Sequence, residues 1–117
     1  MPTLSEIPLS GSTDGRGIKV AASAIGSGTT IHTAVASNTL YDLITLYAYN
    51  DDTSDRTLTL GWGGTTDPDD LIIQNIPTQS GLIPITFKAL LRNSLVVVAA
   101  GSTANVITIH GTVIRAS

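Results

Sequence analysis

Two histidines, two aspartate clusters and one tryptophan are the side chains here with chemistry to offer. His32 and His110 each lie in an alternating run, opposite in phase to neighbouring isoleucines. A metal site needs three or more converging ligands, and the chain has neither a His-x-His pair nor a cysteine. A nucleophile–His–carboxylate triad assembles in space rather than in sequence, but the Gly-x-Ser-x-Gly elbow that often carries one is missing. Both histidines are therefore expected at the solvent surface or at an interface. Asp67-Pro68-Asp69-Asp70 and the group Asp51, Asp52 and Asp55 could offer oxygen ligands to calcium. The simpler expectation is turn chemistry, with aspartates bonding nearby backbone N–H groups and Pro68 fixing φ. Paired carboxylates also hydrolyse glycosides, but a chain with so few aromatics is a poor candidate for a sugar cleft. Trp62-Gly63-Gly64 could stack a sugar. It reads more simply as a core or interface tryptophan followed by glycines that let the chain turn sharply. No phosphate-binding glycine loop is present. The expectation is no catalytic residue, no metal and no cofactor.

The elements that would position these residues are strands. Tyr41 to Gly64 holds Tyr41, Tyr47, Tyr49 and Trp62, four of the five aromatics. Two β-rich runs, Leu43–Asn50 and Arg56–Trp62, flank the polar stretch Asp51–Asp55, which is the signature of a hairpin. In the first run Leu43, Tyr47 and Tyr49 share one face, while Ile44, Leu46 and Ala48 share the other. A strand apolar on both faces implies a core on one side and a partner on the other.

Elsewhere, short runs alternate with turn residues. Ile18–Ile25, Thr29–Val35, Leu71–Ile76 and Gly81–Phe87 read as strands. Pro84 marks the last as an edge strand. Lys88–Ser94 fits a strand or one helical turn, and Leu95–Ala100 with Asn105–Arg115 reads as a final hairpin. Arg56-Thr57-Leu58-Thr59-Leu60 faintly echoes Asn105-Val106-Ile107-Thr108-Ile109, as two strands in similar environments would. Residues 1–17 have no period and read as an irregular arm, with Leu4, Ile7 and Leu9 as anchors for a neighbouring subunit. Residues 18–117 then form one all-β domain, an antiparallel sandwich of about eight short strands, jelly-roll-like.

Composition narrows the function classes. The length of 117 residues fits one domain. Only 13% of residues are charged, against about 25% in an average soluble domain. Threonine, with 17 residues, fills the gap and suits the outer face of a sheet. Such a surface can be covered by another subunit without stranding charge. The six cations, Arg16, Lys19, Arg56, Lys88, Arg92 and Arg115, are scattered, so no phosphate-neutralising patch is expected and nucleic acid is excluded as a partner. No run approaches the roughly 18 apolar residues of a membrane helix, and no secretory signal is expected at the start.

The segments LYDLITLYAYNDDTSDRTLTLGWGGTTDPDDLI, IPTQSGLIPI and ANVITIHGTVIRAS resemble small structural proteins of tailed bacteriophages, over roughly residues 29–115. The shared features are short strands, a WGGTTDPDD-like loop and a C-terminal strand ending in Arg. The resemblance implies a non-enzymatic β-sandwich virion protein assembled in the host cytoplasm. The expected type is a decoration, or cement, protein that bridges major capsid protein subunits as a homo-oligomer, with a trimer favoured. Leu4, Ile7, Leu9, Tyr47, Tyr49 and Trp62 are its expected interface residues. The alternatives are a ring-forming head–tail or tail completion protein, and a carbohydrate-binding module.

Overall fold

The computed structural model describes residues 3–117, which form nine strands and one turn of 3₁₀ helix. The strands are β1 (Leu4–Pro8), β2 (Ile18–Lys19), β3 (Thr29–Thr33), β4 (Asp42–Asn50), β5 (Arg56–Trp62), β6 (Leu71–Ile76), β7 (Ile83–Leu91), β8 (Val96–Gly101) and β9 (Ile107–Ala116). One sheet runs β1-β9-β4-β7, with β2 also on β9, and the other runs β3-β8-β5-β6. Every pairing is antiparallel.

Four of those pairings nest inside one another: β2 with β9, β3 with β8, β4 with β7 and β5 with β6. The chain is thus one long hairpin, folded over so that β4 also meets β9 and β5 also meets β8. That is a jelly roll. β1 and β2 occupy a single strand position. β1 covers the Thr112–Ala116 end of β9 and β2 covers Thr108–Ile109.

Burial follows the side-chain alternation of strands. In β4 every even residue from Asp42 to Asn50 is buried and every odd one is half-buried. Ile44, Leu46, Leu58, Leu60, Ile107 and Ile109 are among the fully buried residues that fill the space between the sheets. The two echoing segments therefore contribute similar inward pairs from opposite sheets.

The structure departs from the expected hairpin at Tyr41–Gly64. β4 and β5 do not pair; they belong to opposite sheets. The connection Asp51–Asp55 is an arch across the sandwich, long enough to bridge sheets about 10 Å apart. Buried Asn50 shapes it, donating to the carbonyls of Ser54 at 2.9 Å and Ile76 at 3.0 Å while accepting from the N–H of Asp52 at 2.9 Å. β8 and β9 are likewise joined by an arch rather than a hairpin turn.

The arm expected over 1–17, whose first two residues lie outside the described ones, is not irregular throughout. Leu4–Pro8 pairs with β9 in full register. With β9 on one side only and Ile7 alone half-buried, β1 has almost no inward face to produce a period of 2. β7 is the sheet edge that Pro84 suggests, and Lys88–Leu91 continues it as strand past a bulge.

Candidate interaction face

His32, expected at the solvent surface or at an interface, is instead fully buried within the single chain. A bulge between Thr30 and His32 breaks the alternation of β3, so that Ile31 and His32 are both fully buried. Such a bulge inserts one extra residue and re-aims the side chains beyond it. His32 Nδ1 lies 3.0 Å from the backbone N of Ser10. A backbone N–H can only donate, so Nδ1 is the bare acceptor and the proton sits on Nε2. Nε2 then donates to Asp42 Oδ2 at 2.7 Å. Arg115 grips the same carboxylate at both oxygens, Nε to Oδ1 and Nη2 to Oδ2, each at 2.8 Å. The Val35 N–H adds a bond at 3.2 Å. Burial alone would raise the Asp42 pKa, but the hydrogen bonds from Arg115 and His32 outweigh it and hold the carboxyl below its ordinary 3.8. The same bonds hold Arg115 above its usual value. Asp42 and His32 resemble two thirds of a hydrolytic triad, but both are fully buried and the third partner is a peptide N–H, so no nucleophile is served.

Of the aspartate clusters, Asp52, Asp55 and Asp70 accept backbone N–H groups. Asp70 accepts the Thr66 N–H at 3.1 Å. Asp52 accepts the Thr53 N–H at 2.7 Å and pairs with Arg56. Asp55 accepts the Thr78 N–H at 3.0 Å, and Asp51 Oδ1 accepts a hydrogen bond from the Tyr49 hydroxyl at 3.2 Å. Partial burial, then the nearby Asp51 carboxylate, push the Tyr49 hydroxyl above its usual pKa. Among the described residues no group of three or more His, Cys, Asp or Glu side chains is placed to hold a metal ion.

The two outer sheet faces differ. That of β3-β8-β5-β6 is partly roofed by the chain's own segment around Ile25–Gly28, with Gly28 against Val98. What remains is a shallow groove of about 310 Å³ lined by Ile25, Thr57, Thr59, Leu71, Ile73 and Ala100 among others. The outer face of β1-β9-β4-β7 is covered at one point by Gly17, which packs against the His110 ring. Register places Leu43 beside Ile114 and Leu90, Thr45 beside Thr112, Tyr47 beside His110 and Pro84, and Tyr49 beside Thr108. The outward residues of its two central strands include no Asp, Glu, Lys or Arg. Charge enters at its margin, with Glu6 beside Ile114 and Lys19 beside Thr108. Exposed large apolar side chains lie on it or on its edge strand: Leu4 at 59%, Leu90 at 52% and Phe87 at 76%.

Of the six expected interface residues, this face unites Leu4, Tyr47 and Tyr49. It does not include the others. Ile7 packs on the core, and Leu9, at 1% exposure, is part of it, so Leu9 is not free to anchor on a neighbour. Trp62 lies beside Val97 in the other sheet and packs on the core. Leu90 and Phe87 escaped notice because the bulge in β7 breaks their alternation. Comparison with protein-family models, curated proteins and solved structures gives no match for this chain.

Proposed function

We propose that this chain is a non-enzymatic structural protein of a tailed-bacteriophage virion, a decoration protein that seats on major capsid protein subunits as a homo-oligomer, with a trimer favoured. The observation that carries this reading is the uncharged outer face of β4 and β9, bordered by exposed Leu4, Leu90 and Phe87. Interface cores are depleted of charge and enriched in aromatics, as this face is. A jelly roll serves viral capsid proteins, lectins and cupins alike, so the fold by itself does not choose among them. Linking several copies in one oligomer would turn a modest contact per copy into firm attachment.

The test is mass in solution at high micromolar concentration, followed by co-sedimentation with capsids. A trimer that co-sediments supports decoration. A ring of six or more would favour a head–tail or tail completion role, and a monomer that leaves capsids bare would refute the proposal. The carbohydrate-module reading draws no support from Trp62, which packs inward rather than offering a platform.

A further inference from the structure

The cluster around His32 does more than fill the core: it ties the chain's beginning to the sandwich. Ser10 is bonded to β3 twice, its N–H to His32 Nδ1 at 3.0 Å and its Oγ accepting from the Thr33 N–H at 2.7 Å. Gly11 N–H adds a bond to Ile31 O at 2.9 Å, and Leu9 is buried beside them. Ahead of this corner, β1 is an edge strand with only Ile7 turned toward the core. The corner thus reinforces, beside the β9 ladder, a segment that has little apolar burial of its own, and such segments open before the rest of a domain does.

Independently of the functional reading above, we propose that His32 is an acid-sensitive latch: a second proton, taken up at Nδ1, removes the acceptor of the Ser10 N–H and loosens the segment Leu4–Ser10 on the sandwich. Nδ1 cannot hold a proton and accept one at the same time. Two N–H donors would then face each other across a part-buried contact, and the ring N–H, on the fully buried His32 side, would be left without its partner. The charge balance points the same way. Asp42 on β4 is the carboxylate facing the ring, and Arg115 on β9 already neutralises it through two bonds. A protonated His32 would leave the cluster with one uncompensated buried positive charge. The neighbouring β8 residues Val96 and Val97 carry no charge, and Asp14 and Arg16 in the segment after Ser10 are exposed.

Hydrogen exchange tests this on the whole chain between about pH 7.5 and about pH 5, the range in which histidines titrate. After correction for intrinsic exchange, wild-type amides from Leu4 to Gly11 should lose about tenfold in protection on acidification, the scale of one lost hydrogen bond. His32→Gln should remove that pH dependence, and His110→Gln should keep it. No loss in the wild type, a loss that survives His32→Gln, or one that vanishes with His110→Gln would overturn the latch. Should His32→Gln fail to fold, nitrogen NMR of wild-type His32 at neutral pH decides instead. The Nε2–H tautomer supports the latch, and the Nδ1–H tautomer refutes it.

Discussion

Leu46 and Tyr47 are neighbours in sequence with opposite fates, and they show what a single side chain does here. Leu46 is fully buried between the sheets, while Tyr47 is half-buried on the outer face. An aspartate at 46 would be an unpaired charge in the core, costing on the order of 3–5 kcal/mol, a large share of a small domain's stability. Leu46→Asp should therefore fail to fold or melt far below the wild type. Tyr47→Asp should cost clearly less than Leu46→Asp in the isolated chain, since the ring is only partly covered and an aspartate there can turn to water. Urea unfolding of both variants checks the contrast, and a Tyr47→Asp loss as large as that of Leu46→Asp would mean the outer face is covered within one chain. Asp42 gives a second residue-scale prediction. Its folded pKa lies below the unfolded value of 3.8. Its contribution is therefore complete above that value and is lost as pH falls through the lower folded pKa. Asp42→Asn should destabilise the protein at neutral pH, where Arg115 loses its partner, yet flatten the fall in stability below about pH 4. Parallel denaturation series across acid pH would show a steeper slope in the wild type than in the variant.

Individual strands are specified by elementary alternation, but their sheets are not. β4 and β5 were legible to within one residue, because Leu43–Asn50 and Arg56–Trp62 carry strong apolar periodicity. Which sheet each joins was not, because a five-residue polar link serves a hairpin or an arch equally well and only the buried amide of Asn50 commits it. His32 was misplaced for a related reason: a bulge leaves the composition of a strand unchanged while shifting its phase. The outward tyrosines, by contrast, were readable because β4 has no bulge relative to β9. The β4–β9 pairing has one strict local requirement. Gly111 sits opposite Leu46, and a Cβ there would lie 2.0 Å from the backbone oxygen of Thr45. Backbone cannot yield as a flexible side chain would. Gly111→Ala should thus push the two central strands apart at a cost of about 3 kcal/mol. Loss of exchange protection at Thr45–Tyr47, ahead of the β5–β8 pair, would locate the damage. A variant with wild-type stability would show that the contact is relieved elsewhere.

At the scale of the whole molecule, the question is whether the fold needs a partner to exist or only to act. The chain exposes 6058 Å², and a folded monomer of 12.1 kDa is expected to expose about 6,000 Å². Its surface is that of a self-sufficient subunit, so association should join folded units and be separable from folding by mutation. Thr45 is the best place to make that separation. It points outward at the middle of the uncharged face, beside Thr112, and its Oγ1 accepts the Lys88 N–H of β7 at 3.1 Å, the one bond a lysine there would give up. Thr45→Lys would set a charge at the centre of every copy's contact, where an unpaired, desolvated ammonium opposes association. Ile73→Lys, on the other sheet and 63% exposed, serves as the matched control. If the face of β9 and β4 joins subunits or seats them on a shell, Thr45→Lys should weaken association by at least about tenfold while costing the dilute chain no more than about 1 kcal/mol, the scale of its one lost bond to Lys88. Ile73→Lys should change neither. Light scattering across a concentration series, alongside thermal melts, reads both quantities on the same samples. Equal weakening by the two variants would indicate a general charge effect, and weakening by Ile73→Lys alone would move the contact to the other sheet.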